Sequence, residues 1–243
     1  MGPSLFLYYI NDIPTGLDSI IRLFADDTIV YLLIKSNSDA LNLHRDLDKL
    51  AQWKQLWKMA FHPDKCNVLT ISCNKTSVKF NYCLHGHVLK VVDKAKYLGV
   101  TISEDLKWES HINNICGKAN KTLGFLCCNL NIGSTSVKEQ AYKSLVRPSL
   151  EYACSVWDPH LKSDINKIEM VQQRAARYVT NRKRNTSSLG DMLQHLEWRS
   201  LEDRRRDARL VMMYNISHDK ATDFLPWLAL QKHALSVISG TIM

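Results

Sequence analysis

The sequence has no apolar run that approaches the eighteen or more residues of a membrane-spanning helix, so no membrane association is expected. It also has no secretory signal at its amino terminus, and its seven cysteines are odd in number and scattered. Cysteines of this kind are typical of reduced thiols rather than of a secreted disulfide scaffold. We therefore predict a protein of the nucleus or cytoplasm that is not secreted.

The stretch of the chain richest in potential metal ligands, Cys83 to His87, has no C-x-x-C zinc knuckle. Three residues at alternate positions, Cys83, His85 and His87, could form a zinc site with Cys66 or Cys73. Their alternate spacing around a glycine fits a strand, a turn and a second strand better. Zinc is therefore kept as the minor alternative.

What the sequence does have is the composition of a folded, basic chain. Hydrophobic residues make up 45% of its 243 positions, which is enough for one large or two small domains with a buried core. The formal net charge is +8, which favours a polyanionic partner such as nucleic acid without proving one.

The most informative local feature is the pair of adjacent carboxylates in Phe24-Ala25-Asp26-Asp27. The pair lies between two apolar runs, Ile20–Leu23 and Thr28–Ile34, which predict the strands of a β-hairpin. Aspartates are ordinary turn residues, so a plain surface hairpin is one interpretation. The other is a metal site, because a bent backbone at a turn can bring both carboxylates round a shared centre.

Several motifs in order along the chain resemble one family, the reverse transcriptases of non-long-terminal-repeat (LINE-type, jockey-like) retrotransposons. Gly2 to Pro14 and then Phe24 to Thr28 resemble the polymerase palm. Trp57 to Cys66 resembles the helix and strand that follow the catalytic hairpin, and Lys96 to Val100 with Trp108 and His111 resembles the primer grip. Val156 to Pro159, Glu169 to Arg177 and Leu196 to Arg205 resemble the carboxy-terminal part.

The chain departs from the family at its beginning. The family has a third carboxylate on an earlier palm strand, followed by a Gln-Gly loop, and neither is found here. We therefore expect an amino-terminally truncated polymerase fragment that is inactive by itself. A palm without its first strands is also expected to expose an edge of the sheet and to self-associate through it.

The resemblance implies a role for several residues near the hairpin. Asp26 would be the principal Mg²⁺ ligand, and Asp27 would contribute electrostatically or as a second ligand, in a site that holds two ions when intact. Phe24 and Ala25 would support the primer end. Lys65 would donate a proton to the departing pyrophosphate, and the alternative is a surface lysine at the start of a strand. Tyr97, Leu98 and Gly99 would form the primer grip, and the alternative for Tyr97 and Leu98 is a place in the core. RNA template, DNA primer and deoxynucleoside triphosphate would be the partners.

The expected fold class is α+β, with a partial palm followed by mostly helical segments. The palm, an antiparallel sheet with a packed helix, would occupy residues 1–106. The thumb and carboxy-terminal region would occupy 107–228, and 229–243 would be a tail. Within the palm, the expected strands after the hairpin are Val68–Cys73, Val78–Leu84, Val88–Val92 and Tyr97–Ile102, with a turn at His85-Gly86.

The helical spacing of Leu43, Leu47, Leu50 and Trp57 predicts one face of a helix that packs on the palm sheet. Cap candidates for this helix are Ser36–Ser38, and it is expected to end before Pro63. In the helical part, Pro148 is expected to break a helix and Ser163 to cap another.

Two clusters of basic residues follow in the helical part. The first, Arg174, Arg177, Arg182, Lys183 and Arg184, is predicted to contact a nucleic-acid backbone or to direct nuclear import, although a solvated helix face also explains it. The second, Arg204, Arg205, Arg206 and Arg209, alternates with acids and predicts ion pairs along a helix. Binding of nucleic acid without catalysis is the alternative function.

One motif is set aside. His44-Arg45-Asp46-Leu47 copies the start of a kinase catalytic loop, but Ala51 stands where a metal-binding asparagine belongs and no glycine-rich loop precedes it. We interpret it as a helix face.

Overall fold

The structure is a computed structural model that describes residues 5–6, 8, 10–11, 13, 16–58, 65–72, 78–130, 134–182, 188–218 and 234–241. The described chain is mixed α and β, as expected, with sheets that are mostly antiparallel. It divides into two compact units, one formed by the described residues up to Lys107 with 234–241, and the other by those from Trp108 to 218.

The first unit contains the strands. In chain order they are β1 (Ile20–Phe24), β2 (Asp27–Ile34), β3 (Asn67–Ile71), β4 (Cys83–Leu84), β5 (His87–Val88), β6 (Lys90–Val92), β7 (Lys94–Tyr97), β8 (Val100–Ser103) and β9 (Ala234–Thr241). Five of them form one sheet in the order β1-β2-β9-β3-β6, in which only β3 and β6 are parallel. Two antiparallel hairpins, β4-β5 and β7-β8, complete the described strands.

Strand β9 departs from the sequence prediction. Residues 229–243 were expected to be a tail, but 234–241 form a strand inside the sheet, antiparallel to β2 on one side and to β3 on the other. The second edge of the aspartate hairpin is therefore occupied. The outer edge of β1 has no partner strand among the described residues, and Ile20 and Phe24 on it are 37% and 63% exposed.

A long helix, α1 (Asn37–Trp57), packs on this sheet. It begins at Ser36, whose hydroxyl accepts from the Asp39 N–H while the Asp39 carboxylate accepts from the Ser36 N–H, a capping box in the region where caps were predicted. Leu43, Leu47 and Leu50 lie along one buried face, as their helical spacing predicted, whereas Trp57, predicted on the same face, is 37% exposed. The helix ends at Trp57, and the predicted stop at Pro63 lies outside the described residues.

Three expected strands are wrong in length. The predicted strand 97–102 is broken at Leu98-Gly99, which turns the chain between β7 and β8. The predicted strand 88–92 is interrupted at Leu89, and of 78–84 only Cys83–Leu84 is strand. The turn at His85-Gly86 is confirmed, with both residues at positive φ (54° and 76°).

The second unit is helical in its described part. Its elements are α2 (Glu109–Asn129), α3 (Thr135–Ala141), a π-helical segment (Tyr142–Val146), α4 (Arg147–Glu151), α5 (Cys154–Trp157), α6 (Lys162–Thr180), α7 (Leu189–His195) and α8 (Leu201–Ser217). Pro148 was expected to break the helix but stands in the first turn of α4, where a missing N–H costs little. Ser163 was expected to cap α6, but Leu161 is the cap residue and makes no side-chain cap bond.

Buried polar contacts join the helices of this unit. The indole N–H of Trp157 donates to the Tyr152 carbonyl (2.7 Å), and the Trp157 ring lies edge to face with His111 at 5.1 Å between centroids. The Tyr142 hydroxyl bonds Gln172 Oε1 (3.0 Å), and the Gln172 amide donates to the Arg199 carbonyl (2.9 Å). No helix of the described chain combines the length and apolar character needed to cross a membrane.

Candidate active site at the aspartate hairpin

The two carboxylates lie at the tip of the β1-β2 hairpin. The ladder closes at the pair Phe24↔Asp27, which leaves a two-residue loop of Ala25 and Asp26. Ala25 has a φ of 51° and Asp26 a negative φ, the sign pattern of a type II′ turn. A positive φ is costly for alanine, and such strained residues concentrate at functional sites.

The tip of the β1-β2 hairpin is accessible to a ligand from solvent. Asp26 is exposed and Asp27 half-buried, while Phe24 presents a ring that is 63% exposed. Within the described residues, no group of three His, Cys, Asp or Glu side chains is arranged to hold a metal, so the hairpin offers two protein carboxylates. Two carboxylates fit Mg²⁺, which keeps several waters and takes further oxygens from substrate phosphates.

Tyr97 is electrostatically coupled to this hairpin. Burial raises the pKa of the Tyr97 phenol, and the neighbouring Asp27 carboxylate and Tyr31 raise it further, while Arg22 opposes the shift. The end of β7 therefore lies within electrostatic range of Asp27 and Arg22.

The predicted primer-grip residues form the tip of the β7-β8 hairpin. Leu98 and Gly99 both have positive φ (45° and 82°), the signs of a type I′ turn, and Tyr97↔Val100 closes it. Glycine at position 99 is thus explained by the turn itself. Leu98, a bulky residue at positive φ, is a second strained position near the aspartates.

Asp46, which the sequence analysis assigned to a helix face, instead anchors the chain entering β1. Its side chain is buried and its Oδ2 accepts from the Ser19 hydroxyl (2.5 Å), the Ser19 N–H (2.7 Å) and the Asp18 N–H (3.0 Å). Its Oδ1 pairs with Lys49 (3.0 Å). Sequence reasoning missed this role because a buried acid on a helix has no local signature.

Lys65 lies at the same end of the five-stranded sheet as Asp27. Asn67 pairs with Ser239 of β9, and Asp27 pairs with Thr241, so the residues just before β3 approach the level of the hairpin tip. One strand separates β3 from β2, which corresponds to roughly 9.5 Å between them. The Lys65 side chain is exposed.

The first basic cluster is only partly described. Arg174 is exposed and donates to Asn120 Oδ1 of α2 (2.8 Å), Arg177 is half-buried and Arg182 is exposed. Lys183 and Arg184 lie outside the described residues. Lys118 and Lys121, which flank Asn120, are exposed and have no ion pair among the described side chains, so they extend this basic surface. The three-residue spacing of Lys118 and Lys121 on an amphipathic helix could have indicated this basic surface from the sequence alone.

The second basic cluster forms ion pairs, as predicted, but mostly with acids outside its own helix. Arg204 bonds Glu151 of α4, and both Arg205 (2.8 Å) and Arg209 (3.0 Å) bond Asp158, which directly follows α5. Arg206 pairs within the helix, with Asp203 at 3.1 Å. The expectation of pairs along one helix is therefore corrected, since acids outside α8 bind three of these arginines.

Comparison with known proteins shows which protein family this chain resembles. Residues 1–102 match the family described as reverse transcriptase (RNA-dependent DNA polymerase). The chain is 29% identical to the RNA-directed DNA polymerase from mobile element jockey of Drosophila melanogaster, over 83% of this chain and 24% of the relative. It is 26% identical to the probable RNA-directed DNA polymerase from transposon X-element of the same species, over 74% of this chain and 21% of the relative. No solved structure matches.

Residues 1–102, which include the aspartate hairpin, are therefore similar to a reverse transcriptase domain. The similar proteins are polymerases of non-long-terminal-repeat, LINE-type retrotransposons, and this chain resembles a part of them. The chain spans about a quarter of the length of the curated relatives it matches.

Proposed function

We propose that the chain is a portion of an RNA-directed DNA polymerase in which Asp26 and Asp27 hold Mg²⁺ for nucleotidyl transfer onto a primer. The observation that carries the proposal is the placement of two adjacent carboxylates at the tip of a hairpin with a strained two-residue turn, electrostatically coupled to a half-buried tyrosine. Bound Mg²⁺ would neutralise charge on the attacking and leaving oxygens.

The residues around the hairpin then have separate tasks. Asp26, the more exposed carboxylate, is the principal ligand, and the half-buried Asp27 lowers the local potential and adds a second oxygen. The exposed Phe24 ring and Ala25 support the primer end. The turn at Leu98-Gly99 holds the primer strand, with Tyr97 electrostatically coupled to Asp27.

Lys65 is assigned to the leaving group. Its exposed ammonium, at the sheet end that carries Asp27, is a suitable donor of a proton to departing pyrophosphate. RNA template, DNA primer and deoxynucleoside triphosphate are the corresponding partners. Among the described residues, no third His, Cys, Asp or Glu side chain joins Asp26 and Asp27 in a metal-binding group, so we expect the activity of this chain alone to be low.

Primer extension on an RNA template with Mg²⁺ tests the proposal. Extension by the chain should fall by several orders of magnitude in Asp26→Asn, because charge and geometry are both lost. Asp48→Asn is the matched control, since Asp48 is exposed on α1 and no hydrogen bond or ion pair to it is found among the described residues. Extension that survives Asp26→Asn would refute the assignment.

Metal binding provides a measurement that does not need turnover. Titration with Mn²⁺, followed by its paramagnetic signal, should show weaker binding in Asp26→Asn than in Asp48→Asn. Equal affinity in the two variants would mean that the hairpin is a plain surface turn.

A second candidate function, binding of nucleic acid without catalysis, is favoured by the exposed basic surface of Arg174, Lys118 and Lys121. RNA affinity should fall as salt rises, and Lys118→Ala and Lys121→Ala together should reduce the slope by about two. Lys107→Ala serves as the control, because that lysine is ion-paired with Asp105 (3.2 Å). Binding without extension would favour this function over the first.

A further inference from the structure

The position of β9 in the sheet has a consequence for assembly. All other described strands of the first unit lie between residues 20 and 103, whereas β9 joins them from residues 234–241. It pairs with β2 along its whole length and with β3 over five positions, from Asn67↔Ser239 to Ile71↔Leu235. Withdrawing β9 would leave two separate ribbons, β1-β2 and β3-β6, each with an open edge.

We propose that β9 exchanges between two copies of this chain, so that the slot between β2 and β3 of one copy is filled by β9 of the other. The proposed occupant of the slot is β9 of a second copy. That strand has the same sequence as the β9 seen between β2 and β3, so it would pair in the same register. Exchange of an identical element is a low-cost route to a dimer. The proposal does not depend on whether the aspartates bind a metal.

The chain can reach across to a neighbour. Sixteen residues, 218–233, separate the end of helix α8 from β9. A stretch of that length spans up to roughly 55 Å when extended. Because β9 is the last described element, it can leave the slot without breaking any other strand or helix.

The composition of β9 makes its release less costly than that of its neighbours. Its sequence includes Ala234, Ser236, Ser239 and Gly240, residues that are poor in strands, while β2 is rich in branched and aromatic residues. Among the side chains of β9 that the structure describes, Val237 and Ile238 are the buried apolar ones.

The fit at one end of β9 is also imperfect. Thr28 is buried opposite Gly240, and its hydroxyl has no hydrogen-bond partner among the described protein atoms. A cavity of about 20 Å³ lies there, lined by Thr28, Cys66, Ile238 and Gly240 among others. An unsatisfied buried hydroxyl and a void both weaken docking.

The same place offers a covalent reporter. A Cβ built on Gly240 would lie 2.7 Å from Cys66 Sγ and 3.8 Å from Cys66 Cβ. The second distance is the usual separation of bonded cysteines. Gly240→Cys should therefore form a disulfide with Cys66 when mildly oxidised, two thiols losing two hydrogens to the oxidant diamide, and the link records which copy supplies β9.

The experiment equilibrates the full-length Gly240→Cys chain at several concentrations, oxidises it with diamide, and separates the products without reductant. We expect a dimer in which Cys66 of one copy is bonded to the thiol introduced at position 240 of the other. A tenfold rise in concentration should raise the ratio of dimer to monomer about tenfold at low occupancy, by mass action. Mass spectrometry of mixed isotope-labelled chains identifies links between copies.

Two controls separate exchange from random oxidation. Gly190→Cys places a thiol at an exposed glycine outside the first unit and should give no concentration-dependent link to Cys66. Gly240→Cys with Cys66→Ala should lose the specific dimer. If the disulfide between Cys66 and the introduced thiol forms only within one chain at every concentration, or does not form at all, exchange is refuted.

A second measurement guards against misfolding of the cysteine variant. Sedimentation of the unmodified chain should show a monomer–dimer equilibrium, and Ile238→Asp, which places a charge at a position that is 4% exposed, should abolish it. A monomer at all concentrations would also overturn the proposal.

Discussion

Replacing Asp46 with alanine should destabilise the first unit strongly. The Asp46 carboxylate accepts two hydrogen bonds from Ser19 and one from the Asp18 N–H, and Ser19 is 6% exposed. In the variant, the Ser19 N–H and hydroxyl lose their acceptor without gaining water. Each buried unsatisfied group costs about 1–3 kcal/mol.

The lost pair with Lys49 adds little to this cost. Lys49 is 45% exposed and also donates to the Gly16 carbonyl (2.7 Å), so its ammonium keeps a partner and water. Exposed pairs contribute about 0–1 kcal/mol. We therefore expect Asp46→Ala to lower the free energy of unfolding of the first unit by about 3–5 kcal/mol.

Hydrogen exchange resolved by peptide is the suitable assay, because two compact units need not unfold together. Peptides covering residues 18–34 should lose protection in Asp46→Ala, while those of the second unit stay unchanged. Asp48→Ala, on the exposed face of the same helix, should change stability by less than about 0.5 kcal/mol. Equal protection in the two variants would refute the anchoring role.

The same contact gives a pH dependence with a defined sign. Burial raises the pKa of Asp46, but hydrogen bonds from Ser19, Lys49 and Asp18 outweigh it, so the pKa is lowered on folding. The stabilisation is therefore present above the unfolded pKa, near 4, and is lost as the pH falls through the folded value. Asp46→Ala should flatten the acid limb of stability against pH.

Three further changes test other parts of the structure. Ala25→Gly should stabilise the hairpin by about 0.5–1 kcal/mol in urea denaturation, because glycine accepts the φ of 51°, and a loss would contradict the turn geometry. Tyr142→Phe should cost about 1–2 kcal/mol, since the buried Gln172 Oε1 loses the hydroxyl that donates to it at 3.0 Å, and unchanged stability would count against that bond. The Lys107 N–H and the Ser103 hydroxyl lower the Asp105 pKa to about 2, so Asp105→Asn should remove a stabilisation that is full above pH 4 and fades toward pH 2. A wild-type acid profile identical to that of Asp105→Asn would disprove it.

The sequence by itself determined the local geometry around the candidate site. Two apolar runs with an Ala-Asp pair between them predicted the β1-β2 hairpin, and the leucine spacing predicted the buried face of α1. The residue types of His85-Gly86 likewise predicted the turn between β4 and β5. These features depend on residues close together in the chain, so local propensity is sufficient to predict them.

Only the tertiary structure decided the position of β9, the burial of Asp46 and the ion pairs between helices. Residues 234–241 have no strong strand alternation, and they become a strand because β2 and β3 offer hydrogen bonds on both sides. Asp46 and Arg205 find their partners 27 and 47 residues away. Such contacts depend on which distant groups folding brings together, and this is information that no local pattern carries.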